Sequence, residues 1–287
     1  MTLSLQEALR GVSPVVAAEL RPPRAELATS EGMDAWIDTY HAVRSLTRQG
    51  VYVFLTDSAV GLQEEDNLRH LVANLGGDVP RSRVVPFLTS KHSLEYCLSY
   101  AERAWQQNFQ SLVVLGGDKH VGPPRCFEHA WQLRQAIRAR EQQLTLGGWA
   151  NPNTDAGRQV AFLQAPDFNG EFYLTQIVSH HTIEPVAEFI ESARARGLEL
   201  PGMFGVFYYR SAAARTLNTL SQFLPVPAEA LTREFAAGAT PVDVAARTIR
   251  AMTDIGARHF YVSNLPLGRA QSTLAAILDR VDALAVR

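Results

Sequence analysis

The sequence predicts an α/β fold in which eight parallel strands, each followed by a helix, close into a barrel. Short apolar runs, of the kind that form strands buried on both faces, recur eight times along the 287 residues. The starts of successive runs lie roughly 27 to 36 residues apart until the last gap, which is close to the length of one strand–helix unit. The eight runs are residues 15–20, 51–55, 84–88, 111–115, 144–149, 172–178, 203–207 and 259–262.

Amphipathic stretches that predict helices lie between the strands. In residues 182–196, Ile183, Val186 and Ile190 fall on one face, and Gly197 follows as a stop residue. Alternating strands and helices require a parallel sheet covered by helices, and eight units favour closure into a (β/α)8 TIM barrel over an open, doubly wound sheet. No Gly-x-Gly-x-x-Gly motif follows the first strand, which weakens the open-sheet alternative.

The gap before the eighth strand is longer than one strand–helix unit. We therefore expect residues 211–258 to hold an additional helix besides the usual one. Residues 224–229, which contain Pro225 and Pro227, are predicted to form the loop that joins the two helices. Because no linker or low-complexity stretch interrupts the chain, we expect residues 1–287 to form a single TIM-barrel domain.

The composition excludes several classes of partner. The 27 basic and 29 acidic residues nearly cancel and form no run of like charge, so no nucleic-acid or membrane partner is indicated. No stretch of about 18 apolar residues is present, and residues 1–12 lack the apolar segment of a signal peptide. We therefore expect a cytoplasmic protein with a small-molecule substrate, and the sequence leaves assembly into a homo-oligomer open.

Lysines and cysteines are scarce, and this limits the chemistry available. Lys91 and Lys119 are the only lysines, so a phosphate site would use arginine, backbone amides or helix ends. Cys97 and Cys126 have neither CxxC spacing nor a neighbouring histidine cluster. They are therefore expected to be small buried hydrophobes, and no metal site is predicted.

Polar residues that follow the apolar runs are candidates for function, because such barrels carry their chemistry at the carboxyl ends of the strands. Glu19 lies within the otherwise apolar first run, where burial would raise the pKa of a carboxyl group toward the range of a general acid. An ion pair with Arg21 or Arg24 is the alternative. Asp118 follows Gly117 after the fourth run, where backbone can approach a ligand closely, although glycine and aspartate are also common in turns.

The sixth and seventh runs also end in candidate residues. Gln176 carries an amide that donates and accepts, as recognition of a heterocycle edge requires, or it is a capping or core amide. Tyr209, beside Arg210, stacks on a flat ligand or belongs to the core. His180 and His181 follow the sixth run, and without a carboxylate or cysteine at ligand spacing they are predicted to be a solvated helix start.

Seven short motifs lie in order at the predicted strand ends. They are Glu19-Leu20-Arg21-Pro22-Pro23-Arg24, Phe87-Leu88-Thr89, Gly117-Asp118, Trp149-Ala150-Asn151-Pro152-Asn153, Leu174-Thr175-Gln176, Pro201-Gly202 and His259-Phe260-Tyr261-Val262-Ser263-Asn264. With these motifs the chain resembles the methylenetetrahydrofolate reductase family over residues 15–269. That family is a flavin-containing barrel that reduces 5,10-methylenetetrahydrofolate to 5-methyltetrahydrofolate with a reduced nicotinamide.

The resemblance implies roles for four candidate residues. Glu19 takes the place of the general acid that helps to open the methylene bridge into a reactive iminium. Asp118 takes the place of the carboxylate that holds the pterin near the flavin, Gln176 that of a folate-binding amide, and Tyr209 that of a ring stacking on the substrate. The resemblance implies NAD(P)H as co-substrate and leaves open NADH against NADPH, the pterin carrier and the direction of the reaction.

The resemblance also implies bound FAD. The positions that line the flavin site in the family correspond here to Thr56, Thr89, Gly117, Asp118, Trp149, Ala150 and Asn151. Between Ala150 and Gln176 the chain lacks the lysines that usually help to bind the flavin diphosphate. We expect Arg158 and backbone amides to replace them.

The sequence leaves two alternatives to a reductase. A folate- or flavin-binding barrel without turnover, acting as a partner or regulatory subunit, would not need a desolvated acid at Glu19. An unrelated phosphate-binding barrel would carry a glycine-rich loop after strands seven and eight. Residues 207–210 and 264–268 are instead Phe-Tyr-Tyr-Arg and Asn-Leu-Pro-Leu-Gly, so we expect a reductase.

Overall fold

Eight parallel strands close into a barrel in the computed structural model, which describes residues 3–23, 29–57 and 75–285. Each strand pairs with its neighbours in the chain, and the first pairs with the last. The strands are β1 (Val16–Leu20), β2 (Tyr52–Leu55), β3 (Val84–Thr89), β4 (Ser111–Leu115), β5 (Thr145–Ala150), β6 (Phe172–Val178), β7 (Gly202–Phe207) and β8 (His259–Ser263). The predicted (β/α)8 TIM barrel is confirmed. Arg24, the last residue of the first motif, lies outside the described residues.

Helices cover the outside of the barrel. Those in the described part of the chain are α1 (Leu5–Arg10), α2 (Thr29–Arg48), α3 (Leu94–Gln106), α4 (Ala130–Arg140), α5 (Ala156–Gln164), α6 (Glu184–Ala195), α7 (Ala214–Leu220), α8 (Ala228–Ala236), α9 (Pro241–Asp254) and α10 (Ala270–Ala285). None of these described helices combines the length and the apolar character needed to cross a bilayer.

The strands separate two apolar cores. One core fills the barrel and includes Ala17, Phe54 and Tyr261. The other lies between the strands and the helices and includes Ala18 and Val53. Because successive strand residues point to opposite faces and both faces are buried, the strands appear in the sequence as mostly apolar runs.

Helix α1 covers the amino-terminal end of the barrel. Its residues Leu5 and Leu9 are 0% and 2% exposed and pack into the core inside the barrel. The Tyr52 hydroxyl, at the start of β2, donates a hydrogen bond to the Leu3 carbonyl at 2.8 Å. The opposite end, where the strands finish, is therefore the end at which a ligand can approach the barrel.

The long segment between β7 and β8 holds the predicted additional helix and one more. Helices α7 and α8 both precede α9, and Pro225 and Pro227 lie in the connection between α7 and α8, where a loop was predicted. Each of the two short helices has one buried leucine, Leu217 in α7 and Leu231 in α8. A single buried position makes no periodic pattern, which is why the sequence predicted only one extra helix.

Candidate functional site

The carboxyl ends of the eight strands form one rim of the barrel, and the candidate residues lie around it. Glu19 is on β1, Asp118 follows β4, Gln176 is on β6 and Tyr209 follows β7. Because β7, β8 and β1 are neighbours in the closed sheet, Tyr209 and Glu19 belong to the same side of the rim. Asp118 follows a strand on the other side.

Glu19 presents its carboxyl group to the inside of the barrel. It shares this face of β1 with Ala17, which packs in the inner core, whereas Ala18 packs in the outer core. The Ser263 hydroxyl on β8 donates a hydrogen bond to Glu19 Oε1 at 2.6 Å. Burial raises the pKa of Glu19 above the usual glutamate range, and the bond from Ser263 offsets part of this rise. The group therefore keeps its proton to higher pH than a solvated glutamate and is suited to general acid catalysis.

The alternative role for Glu19, an ion pair with a nearby arginine, receives no support. In the described part of the chain, no ion pair or hydrogen bond joins Glu19 to Arg21. Arg24 lies outside that part. The carboxyl group of Glu19 is thus held by a neutral hydroxyl, which favours the ionised form of the carboxyl group less than a cation would.

Tyr261 connects the surroundings of Glu19 to strand β6. Its hydroxyl donates to the Thr175 carbonyl, and the pKa of this hydroxyl is raised by burial and then by the charge of Glu19.

Gln176 lies where β6 is irregular. The pairing of β6 with β7 shifts register around this residue, as in a β-bulge. Gln176 Oε1 accepts a hydrogen bond from the Ile177 backbone N–H at 2.9 Å, and the NH₂ group of this side chain can donate to a ligand.

Tyr209 places a buried hydroxyl group at the rim. The residue is 4% exposed, and its ring packs on Phe207 with the centroids 4.9 Å apart. Burial raises the pKa of the Tyr209 hydroxyl, and no described residue forms a hydrogen bond with it. Because a buried polar group without a partner is unfavourable, this hydroxyl is a candidate contact for a ligand.

Asp118 caps a turn in the loop after β4. Its Oδ1 accepts from the backbone N–H groups of His120 at 2.7 Å and Val121 at 3.1 Å, and the first of these bonds makes the largest contribution to lowering its pKa. The buried Lys91 holds the same loop by donating to the carbonyls of Val121 at 2.6 Å and Pro123 at 2.7 Å. Asp118 is therefore an ionised group on a braced loop.

The four candidates share the rim, but within the described residues their side chains are not hydrogen-bonded to one another. No hydrogen bond or ion pair within the described ranges joins Asp118 to Glu19, Gln176 or Tyr209. A ligand that contacts all four would have to extend across the mouth of the barrel. Their roles in binding and catalysis stay predictions.

Three of the predicted flavin positions have side chains engaged within the protein. Thr89 is 1% exposed, and its hydroxyl donates to Asp57 Oδ2 at 2.9 Å. Asn151 Oδ1 accepts from the Asn153 backbone N–H at 3.1 Å. Ala150 is buried in the outer core. These residues support the rim from inside the protein.

The remaining flavin positions are accessible. Thr56, Trp149 and Gly117 are partly exposed, and Gly117 has a φ of 73°, a left-handed conformation that favours glycine. Arg158 is exposed in the first turn of α5. The backbone N–H of Arg158 donates to Asp155, which caps this helix.

The sequence analysis missed a buried carboxylate at the same rim. Asp57 is the second residue after the end of β2, and its side chain is 6% exposed. Its Oδ2 accepts from the Thr89 backbone N–H at 2.7 Å and lies 2.9 Å from His92 Nε2. The general criterion used for the candidates, a polar residue just past an apolar run, would have selected Asp57 as well.

The histidine pair after β6 is not a solvated helix start, and that prediction is wrong. His180 and His181 lie in a 3-10 turn with side chains 16% and 19% exposed. Their Nε2 atoms lie 3.2 and 2.7 Å from Glu234 Oε2 on α8. Burial, followed by the neighbouring His181, lowers the pKa of His180. The sequence analysis missed this contact because Glu234 lies on α8, one of the two short helices before α9, far along the chain from the histidines.

Comparison with known proteins identifies similar folds. No protein-family model and no curated protein matches the chain. A solved structure from Clostridium thermocellum, an uncharacterized protein described as binding two copies of 5-methyl-5,6,7,8-tetrahydrofolic acid, matches with a TM-score of 0.71 and 14% identity over 98% of this chain and 100% of that chain. A 2,3-dimethylmalate lyase of the PEP mutase/isocitrate lyase superfamily matches with a TM-score of 0.50 and 12% identity over 98% and 85%. At these identities, the likeness of the two proteins to this chain shows a similar fold and nothing more.

Replacing Glu19 with glutamine is expected to change how stability depends on pH. Because the pKa of Glu19 is raised, the folded protein keeps this proton over a range in which the unfolded chain has lost it. The stability of the wild type relative to Glu19→Gln should therefore fall as pH rises above the usual glutamate pKa, 4.5, and should level off above the folded-state pKa. Urea unfolding at several pH values from about 4 to about 8 measures this difference.

Glu229→Gln is the matched control, because the Glu229 side chain is 94% exposed. Its stability difference from the wild type should vary little over the same pH range. If Glu19→Gln behaves like this control, the pKa of Glu19 is not raised in the folded protein.

Proposed function

We propose that the protein reduces 5,10-methylenetetrahydrofolate to 5-methyltetrahydrofolate with NAD(P)H, or catalyses the reverse oxidation. The observation that carries this proposal is Glu19, a carboxyl group of raised pKa at the rim of a closed barrel. Opening the methylene bridge requires a proton donor at a bridge nitrogen. A carboxyl group that keeps its proton above the usual glutamate range suits that step.

Two further observations support a folate as the ligand. The strand-end motifs resemble those of the methylenetetrahydrofolate reductase family, of which we propose the chain is a divergent member. In addition, a protein of similar fold is described as binding 5-methyl-5,6,7,8-tetrahydrofolic acid, which is the product of the proposed reduction. The folate ligand and the oxidoreductase activity are carried over to this chain as proposals.

In the proposed reaction, Glu19 donates its proton to one nitrogen of the methylene bridge. The bond between that nitrogen and the bridge carbon breaks, the electron pair stays on the nitrogen, and the carbon becomes part of an iminium with the other nitrogen. A hydride that originates from the reduced nicotinamide adds to the carbon, which becomes the methyl group, and the nicotinamide is oxidised. The transfer depends on closeness and alignment of the reacting atoms, which the rim residues provide by holding the pterin.

The other rim residues bind the pterin in this proposal. Asp118 is ionised and accepts hydrogen bonds from paired N–H groups of the ring. Gln176 donates through its NH₂ group, while its oxygen keeps the bond from the Ile177 backbone N–H. The buried hydroxyl of Tyr209 gains a partner when the ligand is present.

We propose FAD as a bound cofactor on the strength of the family resemblance. The residues present fit a flavin at two points: Trp149 and Gly117 are accessible at the ends of β5 and β4, and the exposed Arg158 side chain in the first turn of α5 offers positive charge to a diphosphate. The chemistry that FAD supplies when bound is hydride transfer in two stages, from the nicotinamide and then to the substrate.

Added FAD is expected to stay with the purified protein through gel filtration and to give a flavin absorbance band. Arg158→Gln should weaken the binding roughly tenfold or more, since it removes a charged contact to the diphosphate. Arg194→Gln is the control, because the Arg194 side chain is 66% exposed on α6. A protein that shows no flavin band after FAD is added would contradict the proposed cofactor.

A folate-binding protein without turnover is the second candidate function. The observation that favours it is the Clostridium thermocellum protein of similar fold, which is described by its binding of a folate alone. The raised pKa of Glu19 argues for catalysis, because binding alone has no use for a proton donor that is desolvated.

The Glu19→Gln variant separates these two functions. Glutamine keeps the shape of the side chain and can accept the bond from Ser263, but it has no proton to donate. We expect the rate of NAD(P)H-dependent reduction to fall by roughly 10²- to 10⁴-fold, while binding of 5-methyltetrahydrofolate measured by calorimetry changes little. Equal rates for variant and wild type contradict the role of Glu19, and a wild type that binds the folate without turnover supports the binding protein.

Tyr209→Phe tests the unpaired hydroxyl. Removing a buried hydroxyl without a partner should leave the stability of the free protein unchanged or raise it by about 1 kcal/mol. The same change should weaken folate binding by roughly 3- to 10-fold, the effect of one lost hydrogen bond. Tyr208→Phe is the control, since Tyr208 packs on the outer core, and unchanged folate affinity in Tyr209→Phe would exclude the contact.

A further inference from the structure

A second polar cluster lies at the carboxyl end of β6. It consists of His180, His181 and Glu234, and one ligand atom from each residue lies within 4.8 Å of the others. The two histidines lie in the turn after β6, and the glutamate belongs to α8, one of the two short helices that precede α9. The cluster shares no residue with the proposed folate site, so the inference below does not depend on that function.

We propose that this cluster binds a divalent transition-metal ion, Zn²⁺ or an ion of similar size and softness. Two imidazole nitrogens and one carboxylate oxygen are the protein ligands of zinc sites that keep a further coordination position open. Both Nε2 atoms approach the same oxygen, Glu234 Oε2, at 3.2 Å from His180 and 2.7 Å from His181. Ligand atoms of a tetrahedral zinc site lie about 3.3 Å apart, so a shift of about half an ångström in His181 admits the ion.

Thr248 on α9 orients His180 for this role. Its Oγ1 lies 2.8 Å from His180 Nδ1 and 3.1 Å from the Val244 carbonyl. A hydroxyl has one proton, and when that proton goes to the carbonyl the oxygen accepts from Nδ1–H. The lone pair of His180 Nε2 then faces a carboxylate oxygen, a contact that becomes attractive when a cation lies between them. A bond from the second ring nitrogen is typical of metal-bound histidine.

The charges around the cluster leave one carboxylate oxygen for the ion. Arg247 on α9 pairs with Glu234 Oε1, the oxygen that the histidines do not approach. The Arg247 side chain is 42% exposed and can turn into water when an ion adds positive charge. His180 and His181 are partly exposed, so water or an anionic ligand can reach the remaining position of the ion. The geometry therefore matches an open site.

The same residues without an ion would form a hydrogen-bonded network. In that arrangement Glu234 accepts from both imidazole rings and pairs with Arg247. The network and the metal site differ in one measurable property, which is whether the cluster binds a metal ion with a defined stoichiometry.

Metal titration of the full chain tests the proposal. After treatment with a chelator and dialysis, the protein is titrated with Zn²⁺ by calorimetry, and with Co²⁺ as a spectroscopic probe. We expect one Zn²⁺ per chain, and visible Co²⁺ absorption that Zn²⁺ abolishes. His181→Gln should weaken Zn²⁺ binding by more than roughly 100-fold and Thr248→Val by roughly 10- to 100-fold. His41→Gln, an exposed histidine on α2, should have no effect.

Arg247→Met keeps the test decisive if His181→Gln does not fold. Removing the competing cation should strengthen Zn²⁺ binding several-fold, an effect that a purely structural role of Arg247 would not produce. A wild-type chain without stoichiometric Zn²⁺ binding at micromolar concentrations would overturn the proposal. Unchanged affinity in folded His181→Gln, or in both Thr248→Val and Arg247→Met, would overturn it as well.

Discussion

The closure of the sheet between β8 and β1 is the contact on which the candidate site depends. The pairing of Ala18 with Val262 brings Ser263 beside Glu19, and Tyr261, 1% exposed, packs within the barrel near the same carboxyl group. In an open sheet β1 would be an edge strand, and water would solvate the carboxylate. The raised pKa of Glu19 is therefore a property of the closed barrel and does not follow from the local sequence alone.

The carboxyl groups at the rim differ in how readily they lose a proton, because their surroundings differ. Burial raises the pKa of Glu19, whereas two backbone N–H groups lower that of Asp118. Carboxyl groups whose pKa values are shifted in opposite directions can serve as acid and as anionic binding group in one site. Asp57, held by Thr89 and His92, is a third carboxylate at this rim, and its bonds brace the ends of β2 and β3. A proton donor and an anion across one mouth are what the proposed opening of a pterin-bound bridge requires.

The fold could be predicted because a strand buried on both faces leaves an unbroken apolar run in the sequence. Glu19 could be predicted for a related reason, since a carboxylate stands out within such a run. The group formed by His180 and Glu234 could not be predicted in this way, because it joins residues that are distant in the chain and meet only when α8 approaches the turn after β6. Helix α8 was equally hidden, since Leu231 is its single buried residue.

A crystal structure of the protein with 5-methyltetrahydrofolate tests the central claim most directly. The account predicts a pterin ring at the rim, with the nitrogen that Glu19 protonates within hydrogen-bond distance of the Glu19 carboxyl group. Asp118, Gln176 and the Tyr209 hydroxyl should contact the ligand. A folate bound away from Glu19, or no bound folate at saturating concentration, would contradict the account.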